Sequence, residues 1–344
     1  MNDISKKKTY YPINKVLLQY LKVYGRNYKL PVKYSDLLRP AGSFPLLDKF
    51  GKDTLWETMI YSNMEMEELN KGFKMIYSLL RTDGDVSVME HLSVDRIDYC
   101  TFGNTNPFRV RIINELNDNY DYFYVKQADA SRIYGLELEH ILSPNLITYL
   151  VEGETLIEEH ILGIPGDQFI KNYMSNPNLN SVRIAKEFVK FNERCFIRLL
   201  GDMRAYNYVV DITPDFEDEQ YRVRAIDFDQ QSYEGQKTMY LPQYFKENNA
   251  MVDLCIKLLS SETVKQYQYE ERTLMARRLK SSRYRIKDLL DCLKKDTISS
   301  KEKIEELKQE LANHHSNNSF LRCNSMAQIL RLNLRLLLTK LKPN

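Results

Sequence analysis

An ordered change of hydrophobic period constrains this chain more than any other feature. From residue 96 to residue 162, short stretches of alternating apolar and polar residues follow one another, rich in Tyr, Phe, Ile and Val and separated by turns. Alternation with a period of two marks half-buried strands. Strands are predicted at residues 96–102, 108–116, 120–127, 146–151 and 155–162, and one helix, residues 131–142, falls between the third and the fourth. Ser131 is suited to cap that helix and Pro144 to end it. After Gly163-Ile164-Pro165-Gly166 the period becomes helical, with helices expected at 167–174 and 182–196. Two short strands, 208–211 and 221–226, follow across an acidic turn at 213–220, and then a helix at 250–259. Strands gathered first and helices gathered after them describe an α+β protein.

The flanks read differently. Residues 15–24, 34–38, 55–63 and 66–80 look helical, broken by the turns Arg39-Pro40-Ala41-Gly42 and Thr82-Asp83-Gly84-Asp85. From residue 262 onward the chain is strongly charged and helical, with Glu/Lys pairs at i, i+4 in 301–311 and Leu and Ile at helical spacing in 326–341. The expected organisation is a helical N-terminal extension over 1–95, a sheet with one helix over 96–165, a helical region over 166–261 and a charged helical region over 262–344.

Several classes are excluded. At 344 residues the chain is long enough to bury a real core, and 43% hydrophobic with 28% charged residues is ordinary globular composition. The formal net charge of +2 gives no general pull toward nucleic acid. No apolar run reaches the ~18 residues that a membrane span needs. The polar, basic start of the chain is followed by no apolar segment of signal-peptide type, so a cytoplasmic location is expected. Cys100, Cys195, Cys255, Cys292 and Cys323 are widely spaced and odd in number, as expected of reduced, mostly buried thiols rather than a zinc site. Gly-x-Ser-x-Gly, GxGxxG and GxxxxGK[ST] are all missing from the sequence, which disfavours an α/β-hydrolase, a simple dinucleotide fold and a P-loop.

The stretch that carries chemistry is Leu200-Gly201-Asp202-Met203-Arg204-Ala205-Tyr206-Asn207, followed by Ala225-Ile226-Asp227-Phe228-Asp229. An Asp and an Asn five residues later sit in the loop after a long helix, and a second Asp ends a strand further on. Phosphoryl transfer from ATP needs one carboxylate to orient the attacking hydroxyl, and an amide oxygen and another carboxylate to hold Mg²⁺. Asn207 and Asp227 are hard oxygen ligands of the right kind. The run Asp211, Asp215, Glu217, Asp218 and Glu219 reads as a solvated turn.

These motifs resemble the protein-kinase-like superfamily. The stretch from Asp202 to Asn207 is similar to its catalytic loop, and Ile226-Asp227-Phe228-Asp229 stands where its metal-binding DFG motif would. Gly201-Asp202 with Ile226-Asp227-Phe228-Asp229 is closer to the aminoglycoside phosphotransferase and choline-kinase-like branch, and Asp253-Leu254 resembles an element of that branch. Arg204 is instead a feature of eukaryotic-type protein kinases. The resemblance covers roughly residues 96–260 and implies a two-lobed α+β fold with ATP and Mg²⁺ as cofactors. It implies further that Lys126 contacts the phosphates and that Glu137 on the helix, or Glu139 as second choice, holds Lys126. By the same resemblance the backbone of Glu159, His160, Ile161 and Leu162 receives the adenine, and Gly103 marks a reduced glycine loop. Asp202 would act on the acceptor hydroxyl, Arg204 on the transferred phosphate, and Asn207 and Asp227 on the metal. Three departures stand out: Leu200 replaces the His before the catalytic Asp, the glycine loop has one glycine, and the stretch between Asp227 and Asp253 is short.

The expected function is transfer of phosphate to a hydroxyl of a small molecule or a protein. Two alternatives stay open: a pseudokinase that binds a nucleotide or a partner, and a kinase-fold enzyme that transfers AMP. The C-terminal helices are a candidate surface for a protein partner.

Overall fold

A computed structural model describes residues 8–82, 84–85, 87–102, 106–215 and 219–339. Gly103, expected in the glycine loop, and Glu217 and Asp218 of the acidic turn lie outside the described residues. Contacts between Cα atoms divide the chain into two compact units. The first holds the described residues up to Asp129 together with Ile147–His160, and the second holds Ala130–Leu146 and the described residues from Ile161 onward.

The first unit is built on an antiparallel sheet. Its elements are α1 (Lys15–Val23), β1 (Gly42–Leu47), β2 (Asp53–Ile60), α2 (Asn63–Arg81), β3 (Leu92–Cys100), β4 (Phe108–Asn114) and β5 (Tyr120–Gln127). After α3 (Ala130–Leu142), which belongs to the second unit, β6 (Tyr149–Glu152) and β7 (Thr155–Glu159) complete it. Among the described residues the strand order is β1-β2-β3-β4-β5-β7-β6. One helix between the third and fourth of the strands read from sequence is therefore present, with β7 inserted between β5 and β6. The helix α2 buries Leu69, Phe73, Ile76 and Leu80, which recur at the spacing of a single helix face. They pack with Ile97, Val110, Phe123 and Val125 of the sheet, and the Phe73 ring meets Phe123 edge-on at 5.5 Å. Ser62 and Glu65 close a reciprocal cap at the start of α2.

Residues 55–63, expected as a helix, are strand as far as Ile60. Strand β2 pairs with β1 on one side and with β3 on the other, Trp56 opposite Cys100 and Thr58 opposite Asp98. A short apolar run is ambiguous by period alone, and Thr54, Trp56, Thr58 and Ile60 suit a pleated surface once a neighbouring strand offers one. The buried Asp98, which accepts from Thr58 Oγ1 at 2.8 Å and from Arg109 Nη2 at 2.8 Å, stitches β2, β3 and β4 together.

The second unit is mainly helical. It contains α3, β8 (Ile164–Pro165), α4 (Gly166–Asn172), α5 (Ser181–Arg198), β9 (Tyr208–Pro214), β10 (Glu219–Ala225), α6 (Asn249–Leu258), α7 (Ser261–Ser281), α8 (Arg283–Lys294), α9 (Lys301–His315) and α10 (Met326–Thr339). A small antiparallel sheet, β10-β9-β8, lies beside α5. The charged C-terminal helices pack into this unit. Asn333 of α10 donates to the carbonyls of Phe196 and Ile197 in the last turn of α5, where helix carbonyls lack partners of their own helix. Arg194 and Glu271 form a buried ion pair between α5 and α7. Among the described residues no helix is long and apolar enough to cross a membrane.

Phe73 is fully buried, so Phe73→Ala is expected to cost about 3–5 kcal/mol. Trp56 is the chain's one tryptophan and sits in the same sheet, so its fluorescence during urea unfolding measures the loss in the first unit.

Candidate functional site

In the second unit, α5 delivers the polypeptide to a tight loop. Leu199 ends the helix in the left-handed region at φ 56°, and Asp202 takes φ 58°. Left-handed backbone is costly for a non-glycine residue and persists where surrounding bonds impose it. Here those bonds are visible. Gly201 N donates to Gln230 O at 3.1 Å, Asp202 N to Met239 O at 3.0 Å and Ser232 N to Leu199 O at 2.8 Å. The loop is thus laced to the segment after Asp227. Leu200, which the sequence resemblance sets at the place of a His, is fully buried.

Asn207 closes the arrangement. Its side-chain nitrogen donates to the Asp202 carbonyl at 2.6 Å, and its own carbonyl accepts from Ile226 N at 3.0 Å. The residue expected to act on a hydroxyl and the two expected to hold a metal are therefore bound into one local structure. With the amide nitrogen of Asn207 engaged, its oxygen is the atom suited to a cation. The Asp202 carboxyl has its pKa raised above the ordinary Asp value by burial, while the bond from Arg204 Nε at 2.8 Å and the charge of Arg204 pull it back down. Arg204 also donates through Nη1 to Glu247 at 3.0 Å. This residue, expected to meet a transferred phosphate, is held between two carboxylates. Asp253 is exposed on α6.

The helix α3 is buried almost all round, and it carries three charged residues at 2% exposure or less. Arg132 donates through one nitrogen, Nη1, to Asp227 Oδ1 at 2.9 Å and to Asp229 Oδ1 at 2.9 Å. Glu137 accepts three bonds from Arg285 of α8, at 2.8, 2.9 and 3.0 Å. Glu139 is paired with Arg198 of α5 and accepts from Asn145 at 3.3 Å. Close packing fixes the helix against the same loop. A Cβ on Gly135 would lie 2.9 Å from Phe228 Cβ and 3.1 Å from the Phe228 carbonyl.

In the first unit Lys126 is buried near the end of β5, and its amine donates to Glu158 Oε2 of β7 at 2.8 Å. Lys126 lies opposite Leu156 in the sheet, so Glu158 is the diagonal neighbour on the same face. Sequence had offered Glu137 as the carboxylate for Lys126. Within its unit that carboxylate is Glu158, and Glu137 is bidentate with Arg285. The sequence reading missed Glu158, Arg132, Arg198 and Arg285. The i, j+2 register across β5 and β7 would have signalled Glu158, but the Arg285–Glu137 pair bridges 148 residues and has no local sign.

The segment expected at the adenine divides between the units, Glu159 and His160 in the first and Ile161 and Leu162 in the second. Glu159 accepts from Thr148 N at 2.8 Å. His160 meets the Tyr124 hydroxyl at 3.1 Å, and burial lowers its pKa below the usual imidazole value. Ile161 is buried and Leu162 is exposed.

Three strands, a helix, two further strands and then a helical region, with the Asp202 and Asp227 loops in the second unit, make a mixed α+β arrangement. Solved structures with which the chain aligns include the autoinhibited serine kinase domain of the giant muscle protein titin. That alignment has 13% identity and a TM-score of 0.28, and covers 57% of this chain and 80% of that one. Titin kinase with its flanking domains aligns at 13% identity and a TM-score of 0.30, covering 72% of this chain and 54% of that one. Likeness at this level says nothing about activity. No family model matches the chain, and no curated protein matches it.

Removing one member of a buried ion pair strands the other charge, at a cost of about 3–5 kcal/mol. Glu137→Ala is expected near the lower end of that range, because Arg285 retains some exposure. Adding Arg285→Met should recover most of the loss. Urea unfolding followed by far-ultraviolet circular dichroism of both variants checks this, and an additive double variant would show that the two residues do not depend on each other.

Proposed function

We propose that the chain is an ATP- and Mg²⁺-dependent phosphotransferase acting on a hydroxyl of a small molecule or a protein. The observation that carries the reading is the locking of Asp202, Asn207 and Asp227 into one structure by the Asn207 bonds to Asp202 and Ile226. The pairing of Gly201-Asp202 with Ile226-Asp227-Phe228-Asp229 favours the aminoglycoside phosphotransferase and choline-kinase-like branch.

The donor set suits magnesium: one amide oxygen, from Asn207, and one carboxylate, from Asp227. Among the described residues no three His, Cys, Asp or Glu side chains gather as a metal site. Two protein oxygens are what Mg²⁺ takes when phosphate oxygens and water complete its octahedron. Bound there, it would neutralise charge on the phosphates. Asp202 would accept a hydrogen bond from the acceptor hydroxyl and orient it for attack. Burial raises the pKa of that carboxyl, and the bond and charge of Arg204 oppose the rise. In the first unit Lys126 donates to Glu158, and the sequence resemblance makes it the cation expected to meet the phosphates. Catalysis of this kind is chiefly positioning and electrostatics.

The second reading is a nucleotide- or partner-binding module without transfer. The seating of Arg132 on Asp227 and Asp229 favours it, because a cation of the protein already neutralises carboxylates that a metal would use.

Asp202→Asn keeps the size of the side chain and removes the charge. Transfer from γ-labelled ATP is expected to fall about 10²–10⁴-fold, with the ATP-induced thermal shift unchanged. Asp227→Asn is expected to remove the Mg²⁺ dependence of that shift. A parent protein that binds ATP and Mg²⁺ yet labels no acceptor, itself included, decides for the second reading. Label arriving from α-labelled ATP instead decides for AMP transfer.

A further inference from the structure

We propose that Arg132 is the resident cation of the Asp227–Asp229 carboxylate pair, a positioning residue that commits Asp229 to the protein and limits the site to one divalent cation. The proposal rests on the reading of Asn207 and Asp227 as metal ligands and adds a control to it.

The geometry is specific. One guanidinium nitrogen, Arg132 Nη1, lies 2.9 Å from Asp227 Oδ1 and 2.9 Å from Asp229 Oδ1. The second terminal nitrogen donates to the Ile226 carbonyl at 3.3 Å, so the fork grips the backbone just before Asp227 as well. Asp229 N donates back to Asp227 Oδ1 at 3.0 Å. Ser131, next to Arg132 on α3, adds bonds from its hydroxyl to the carbonyls of Asp229 and Gln231, each at 2.9 Å. The first turn of α3 therefore holds the whole turn that carries the two carboxylates.

The two acids are not equivalent. The Asp229 side chain is 7% exposed and that of Asp227 is 32% exposed. A metal arriving from solvent with a nucleotide can meet Asp227, whereas Asp229 is sealed behind Arg132. Two carboxylates facing one point would by themselves attract a divalent ion without any nucleotide. A fixed guanidinium at that point takes one unit of the negative charge and occupies the space. It leaves Asp227 oriented, and it makes metal entry depend on the phosphates that accompany the metal.

The experiment measures Mn²⁺ binding by electron paramagnetic resonance on the full chain with no nucleotide present, so it needs no activity. The parent is expected to bind weakly, and Arg132→Gln to bind about ten-fold more tightly or better. The gain should disappear when Asp229→Asn is added to Arg132→Gln. Equal Mn²⁺ affinity in the parent and Arg132→Gln overturns the proposal, and so does a gain that survives Asp229→Asn. If Arg132→Gln is too unstable for titration, its melting temperature is measured instead. Mn²⁺ should then raise it by several degrees and leave that of the parent unmoved, and failure to rescue overturns the proposal equally. A gain in Mn²⁺ binding with no phosphate transfer by the parent leaves this inference standing and removes the enzymatic reading. Transfer by the parent with no gain does the reverse.

Discussion

Charge cannot be buried alone, and α3 buries three charges. An isolated ion in a protein interior costs several kcal/mol even after relaxation, so each must find a counter-charge within hydrogen-bond reach. Arg132, Glu137 and Glu139 point from one helix to three different elements: the turn after β10, helix α8 and helix α5. Those three bonds fix the helix in rotation and in depth. They also explain why the charged C-terminal region is part of the fold, since Arg285 of α8 is the partner that Glu137 requires.

The same demand shapes the candidate site. Asp227 and Asp229 would repel one another, and Arg132 removes that repulsion from inside the molecule. Asp202 lies in a loop whose left-handed residues are held by bonds to Gln230 and Met239. Strain in the loop is thus balanced by the segment after Asp229, and charge on the turn by Arg132 of α3. Such preorganisation suits a site in which positioning is most of the chemistry.

Lys126 obeys the rule in the other unit. A buried ammonium at a strand end finds Glu158 across the sheet, diagonal to it on the same face. The pair costs no long-range closure beyond the pairing of β5 with β7 that the sheet makes in any case. The outer strands β1 and β2 show the converse, for their strand character depends on β3 as a neighbour.

Much was legible in the sequence because it is local. The period-two runs from 96 to 162, the helix among them, the long helix α5, and the Asp202, Asn207 and Asp227 spacing are each carried by a few consecutive residues, and local bonds realise them. The tertiary structure alone decided which carboxylate meets which cation. The partners of Arg132, Glu137 and Glu139 lie 95, 148 and 59 residues away. Period and propensity are blind to such distances. They assign a residue to a face, and only the packed neighbours of that face settle what a buried charge will touch. The hairpin of β1 and β2 was lost for the same reason, since a short apolar run acquires its state from the strand beside it.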